Sequence, residues 1–212
     1  MRESNRFHRF RWQQVSLFMM LTSAFILSVC SLSAQVMVRQ VNLAYLAQRA
    51  DVIVQGRVTQ VSHERLPGHP NIPTVKVTLE VEKSLRGASG DTYTFREIYL
   101  GLRSREGKQG YVVGQQVFLF LPAPSRYGLS SPVGMEQGRF HVARGTTGGA
   151  SAMVANEYGN AGLFNNVEQD ATKAGVRLTK SQSRLTTTKR GPVPLDDFVS
   201  LVKSLTALPR IK

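Results

Sequence analysis

Val75-Lys76-Val77-Thr78-Leu79-Glu80-Val81-Glu82 alternates apolar and polar residues without a break. Successive side chains of an extended chain point to opposite faces. Val75, Val77, Leu79 and Val81 therefore share a buried face, while Lys76, Thr78, Glu80 and Glu82 meet water. Upstream, Val52-Ile53-Val54-Gln55-Gly56-Arg57-Val58-Thr59-Gln60-Val61 is β-branched and roughly alternating, with Gly56 marking a bulge, and a proline-rich loop over 66–73 joins the two strands. Downstream, the turn at 87–91 leads into 92–99, where Tyr93 and Phe95 share a face, so a hairpin is predicted.

Further out, Val117-Phe118-Leu119-Phe120-Leu121 is apolar on both faces until Pro122 and Pro124 stop it. A strand of that kind needs cover on each side. The candidates for covering its outer face are two helices. Asn42 caps a segment with apolar positions at 43, 46, 47 and 50, and Leu195, Phe198, Val202 and Leu205 recur at helical spacing behind Asp196 and Asp197, which suit a first helical turn. Residues 139–143 alternate with Phe140 and Val142 inward, and Met153-Val154-Ala155 adds a short sixth strand. Five or six short strands with helices only at the ends predict a mainly β fold. The nearest match in size and strand number is an OB-like barrel with a short N-terminal helix and a C-terminal amphipathic helix.

The chain has 212 residues, 27 Lys and Arg against 14 Asp and Glu, 42% hydrophobic residues and one Cys. Gly and Pro make up about an eighth of it, which excludes collagen-like and wholly disordered classes. A single Cys excludes a disulfide framework and a thiolate metal cluster within the chain. Arg2, Arg6, Arg9 and Arg11 precede an uncharged apolar run over 15–29 and a small-residue stretch ending at Ala34. At about 15 residues the run is shorter than the roughly 20 of a membrane-spanning helix, so 1–34 reads as a signal peptide cleaved near Ala34, with the product periplasmic or extracellular. Leu27-Ser28-Val29-Cys30 resembles a lipobox, but Val29 stands where a small residue is required, which argues against lipidation at Cys30. The expected organisation is a leader (1–34), a β domain (35–169), a basic flexible linker (170–192) and a docking helix (193–212).

Several of these stretches also resemble a known group. Leu46-Ala47-Gln48-Arg49-Ala50-Asp51-Val52-Ile53-Val54-Gln55-Gly56-Arg57-Val58, Val77-Thr78-Leu79-Glu80-Val81-Glu82 with the following Lys83-Ser84-Leu85-Arg86-Gly87, and Val113-Gly114-Gln115-Gln116-Val117-Phe118-Leu119-Phe120-Leu121 carry the likeness. It continues at Gln137-Gly138-Arg139-Phe140-His141-Val142 and Pro194-Leu195-Asp196-Asp197-Phe198. The whole resembles a family of uncharacterised secreted bacterial proteins. The resemblance implies export and an OB-like β-barrel, and it implies no catalytic residue. The strand at 50–54 and its connection to Val117-Phe118-Leu119-Phe120 are also similar to the netrin-like domain of tissue inhibitors of metalloproteinases. Those inhibitors act through an N-terminal cysteine and disulfides, which this chain lacks beyond its leader, so the inhibitory mechanism does not carry over.

Motifs for chemistry are sparse. No Gly-x-Ser-x-Gly elbow announces a nucleophile. His63, Glu64 and His69 could be gathered only by loop folding, and His63, His69 and His141 read as surface histidines. Glu80 and Glu82 read as a solvated charged face, and the glycine-rich 144–150 as a turn without the Lys-Ser/Thr of a nucleotide loop. No metal or cofactor is expected. The remaining feature is charge: residues 171–190 hold six bases and no acid. Lys173, Arg177, Lys180 and Arg184 fall at 4-3-4 spacing and, with Lys189 and Arg190, are the candidate polyanion-binding residues. The expected role is an exported, non-enzymatic binding module for a protein, peptide or envelope polymer. The alternatives are an inhibitor or chaperone of a co-secreted peptidase, and capture of an anionic envelope polymer by the basic tail. Nucleic acid is disfavoured, because export separates the protein from it and no strand interleaves aromatic residues with bases.

Overall fold

A computed structural model describes residues 39–99, 110–143 and 151–211. The leader with Cys30 and the glycine-rich 144–150 lie outside these described residues. Among the described residues no helix is long and apolar enough to cross a membrane.

The opening helix α1 (Leu43–Arg49) forms where expected: Asn42 adopts the extended backbone of an N-cap, and its Oδ1 accepts from the Tyr45 N–H at 2.9 Å. Two long strands follow, β1 (Val52–Leu66) and β2 (His69–Arg86). The expected loop over 66–73 shrinks to Pro67 and Gly68, with Gly68 supplying the positive φ of 77° that the tight turn requires. Pro70 and Pro73 lie beyond Thr74, the last β2 residue in register with β3 (Thr92–Ile98), and the Pro73 carbonyl accepts from the Tyr99 N–H at 2.9 Å. The bulge at Gly56 is present as a register shift beside Gln55, and a Cβ there would come within 2.4 Å of the Glu80 carbonyl oxygen.

β4 (Gln116–Leu121), β5 (Arg139–Ala143), β6 (Met153–Asn156) and the two-residue β7 (Val193–Pro194) complete the sheet. All seven strands are antiparallel, in the order β3-β2-β1-β4-β5-β6-β7. The mainly β expectation is met, whereas the closed barrel and the count of five or six strands are not. The sheet is open, with β3 and β7 at its edges. The physical reason lies in who covers whom. A barrel closes by hydrogen-bonding its first and last strands, whereas here the edge strands do not pair and helices cover one face. Phe118, Phe120 and Phe140 project into a core with α1 and α4 (Leu195–Leu205), and the rings of Phe118 and Phe198 meet edge to face at 5.2 Å. Val117, Leu119 and Leu121 project the other way, against Val54, Val77, Leu79 and Phe95. The two-sided apolar reading of β4 thus holds, with Val52 opposite Leu121 and Ile53 opposite Phe120 in register.

The segment 170–192 differs from the expected flexible linker. It carries the end of α2 (Val167–Lys173) and all of α3 (Lys180–Thr186). Thr179 and Gln182 form a reciprocal capping box at the start of α3, and Leu185 is buried. Gln182 is buried as well, but its amide donates to the Ser200 carbonyl at 3.0 Å and the Ser204 hydroxyl at 2.9 Å on α4. Polar side chains with partners can be interior, which is why a polar composition did not mean a solvated segment.

Candidate functional site

The most concentrated chemistry among the described residues surrounds Arg139. β5 delivers it almost fully buried, at 4% exposure, two residues before His141 and so on the same face of the strand. Its guanidinium lies 2.5 Å from Glu136 Oε2 and 3.9 Å from Glu157 Oε1, and its Cζ sits 4.8 Å from the centre of the Tyr111 ring. Glu136 comes from the single turn of 3-10 helix (Met135–Gln137) before β5. Glu157 comes from the turn after β6. That turn is locked by reciprocal bonds: Asn156 Oδ1 accepts from the Tyr158 N–H at 3.1 Å and the Asn160 N–H at 2.9 Å, while Asn160 Oδ1 accepts from the Asn156 N–H at 3.0 Å. Asn160 Nδ2 also donates to the Gly191 carbonyl at 3.0 Å, which places Arg190 and Pro192 beside the turn.

The electrostatics follow from burial against a single cation. Burial raises Glu97 to about 7, partly opposed by Arg139 and reinforced by the charge of Glu136. Glu136 is raised by burial too, again with Arg139 opposing, and burial together with Glu97 holds the Tyr111 hydroxyl well above its ordinary range. For Arg139, burial disfavours the charge most strongly. The surrounding Tyr111, Glu136, Glu97 and Glu157 outweigh it, so the guanidinium is held above its usual value.

This cluster opens onto a groove of about 560 Å³ whose lining includes Gln115, His141, Met153, Glu157, Tyr158 and Arg190. His141 Nε2 lies 2.5 Å from Glu157 Oε1, and its Nδ1 contacts the Gln115 amide. His141 is therefore half-buried and engaged on both ring nitrogens, rather than the surface residue expected. No Ser, Thr or Cys side chain among the described residues is hydrogen-bonded to it.

The other candidates are dispersed. His63 packs edge-on to Tyr99 and His69 to Tyr127, while Glu64 accepts from Arg96 at 2.6 Å, so these three side chains do not converge. Among the described residues no group of three or more His, Cys, Asp or Glu is placed to hold a metal ion. Glu82 is not simply solvated: Gln55 donates to it at 2.9 Å, and Arg57 and Gln116 also contact it. Compared with known proteins, the chain matches no protein-family model and no curated protein.

Lys173, Arg177, Lys180, Arg184, Lys189 and Arg190 are all exposed, and none forms an ion pair with a described residue. Their 4-3-4 spacing does not make one helical stripe. Lys173 closes α2, Gly175 breaks the chain with φ of 77°, and Lys180 and Arg184 belong to α3. Lys173 and Arg190 line different grooves. The residues missed in the sequence are Glu97, Tyr111, Glu136, Arg139 and Glu157. Arg139 and His141 sharing a strand face was the one local signal, and their partners come from distant segments that only folding assembles.

Proposed function

We propose that this protein is an exported, non-enzymatic binding module that seats part of a protein, peptide or envelope polymer in the groove beside β5 and β6. The observation that supports this reading is the condition of His141. Both its ring nitrogens are engaged, by Glu157 and by Gln115, and Glu157 also lies in the field of Arg139. A general base needs a nitrogen open toward the proton it takes, and a nucleophilic site needs a hydroxyl or thiol against that base. Here the polar groups face one another and shape a charged wall, while Met153 and the half-exposed Tyr158 supply apolar contact and Arg190 a cation. Export rests on the basic and apolar leader that precedes the domain.

Site-specific photocrosslinking tests this reading. A photoreactive residue at Val112, in the groove, should trap a partner in the exported fraction, one at Glu80, outside it, should not, and Arg190→Glu should abolish the adduct. A chemical turnover that His141→Ala or Glu157→Gln eliminates while crosslinking persists would overturn it.

A further inference from the structure

A second groove, of about 670 Å³, lies between α1, α2 and Pro209 and shares no lining residue with the first. Its walls are unusually rich in amides. Gln40, Gln48, Asn165 and Asn166 line it with the carboxylate of Asp170, and Tyr45 stands among them 37% exposed. Part of this lining is fixed in place by bonds that leave the rest of each side chain available. Asn42, which caps α1, donates to the Asn165 carbonyl at 2.8 Å and to Asp170 Oδ2 at 2.9 Å, leaving Asp170 Oδ1 without a described partner. Gln40 donates to the Ala161 carbonyl at 2.5 Å and Gln48 to the Pro209 carbonyl at 3.1 Å, so each keeps its Oε1 as an acceptor. Arg39 and Lys173 add two cations to the same lining.

We propose that this groove binds an acidic oligosaccharide, a short chain of sugar rings bearing uronate carboxylates. Each sugar hydroxyl both donates and accepts. The groove meets it with amide N–H donors, amide carbonyl acceptors and the open oxygen of Asp170. The C–H face of a sugar ring is apolar and suits the exposed ring of Tyr45. The ligand's carboxylates are the counterpart of Arg39 and Lys173. A ligand made only of anionic oxygens would be repelled by Asp170 and would leave the acceptors Gln40 and Gln48 without donors. An extended peptide would look for an unpaired strand edge, and no strand contributes to this lining.

Titration calorimetry of the purified protein with tetragalacturonate and with its fully methyl-esterified, uncharged form tests the proposal. The acid should bind at least about tenfold more tightly than the ester, the difference made by a charge-assisted contact. Tyr45→Ala should weaken both ligands about tenfold, whereas Lys173→Ala should weaken the acid and spare the ester. Both residues are exposed, and Asn165→Ala, also at an exposed position, is a further variant that should weaken both ligands. Glu80→Gln, outside both grooves, should leave both titrations unchanged. The proposal is overturned if neither ligand binds at millimolar concentration, if the ester binds as tightly as the acid, or if Tyr45→Ala has no effect while tripolyphosphate displaces the sugar at equal charge.

Discussion

Glu97 makes the chain's stability depend on pH in a direction opposite to an ordinary ion-paired carboxylate. Its folded pKa of about 7 stands above the unfolded value of 4.5, chiefly because burial disfavours the charge. The contribution of this group is complete below pH 4.5 and is lost as pH rises through 7. Glu136 is displaced in the same sense. Thermal unfolding between pH 5.5 and 8 should show stability falling with rising pH by on the order of 1–2 kcal/mol, and Glu97→Gln should flatten the slope. A wild-type profile that is level over this range, or a variant with an unchanged slope, contradicts the assignment. Arg139 is the balancing charge. Arg139→Met leaves Glu136 and Glu157 without their cation and should cost about 3–5 kcal/mol in urea unfolding, with the loss reduced in Glu97→Gln because one fewer acid is stranded.

At the level of elements, α3 is the segment where composition and structure part. If it were a solvated linker, substitutions in it would be neutral. As a packed and capped helix, it predicts that Thr179→Ala costs about 1 kcal/mol and Leu185→Ala about 2–4 kcal/mol by chemical denaturation. The local signal was available in Thr179-Lys180-Ser181-Gln182, a capping box followed by Leu185, but six bases and many hydroxyl residues outweighed it. α4 is the opposite case, legible from its periodicity alone. Phe198 contacts both Phe118 and Phe140, at 5.2 and 5.0 Å between ring centres, so Phe198→Ala should cost about 3–5 kcal/mol and loosen β4 and β5 together in hydrogen exchange. Arg86 adds a staple that no periodicity shows: its guanidinium donates to the Ala50 carbonyl at 2.9 Å and the Thr206 carbonyl at 2.7 Å, tying β2 to the ends of α1 and α4.

For the molecule as a whole, the six tail cations are spread over α2, α3 and two grooves rather than along one line. Removing 171–190 would excise a packed helix, so charge reversal is the informative change. Each of Arg177→Glu, Lys180→Glu, Arg184→Glu, Lys189→Glu and Arg190→Glu, outside the groove that Lys173 lines, should lower the salt needed to elute the protein from heparin by a similar small step. Complete loss of retention from one reversal would instead mark a single concentrated site. The sheet pairs no edge to edge, and helices drawn from both ends of the described chain cover one of its faces, while the other face buries side chains of its own strands.

Alternation at 75–82, the two apolar faces of β4, the Asn42 cap and the 3-4-3 spacing of α4 were legible because each is a local property, set by the 2.0 and 3.6 residue periods of the backbone. Whether the sheet closes depends on which strand meets which, and that pairing is decided between residues far apart in the chain. The same holds for Arg139. Its burial is acceptable only because Glu97, Tyr111, Glu136 and Glu157, carried by four separate segments, converge on it, and no spacing along the chain encodes that convergence.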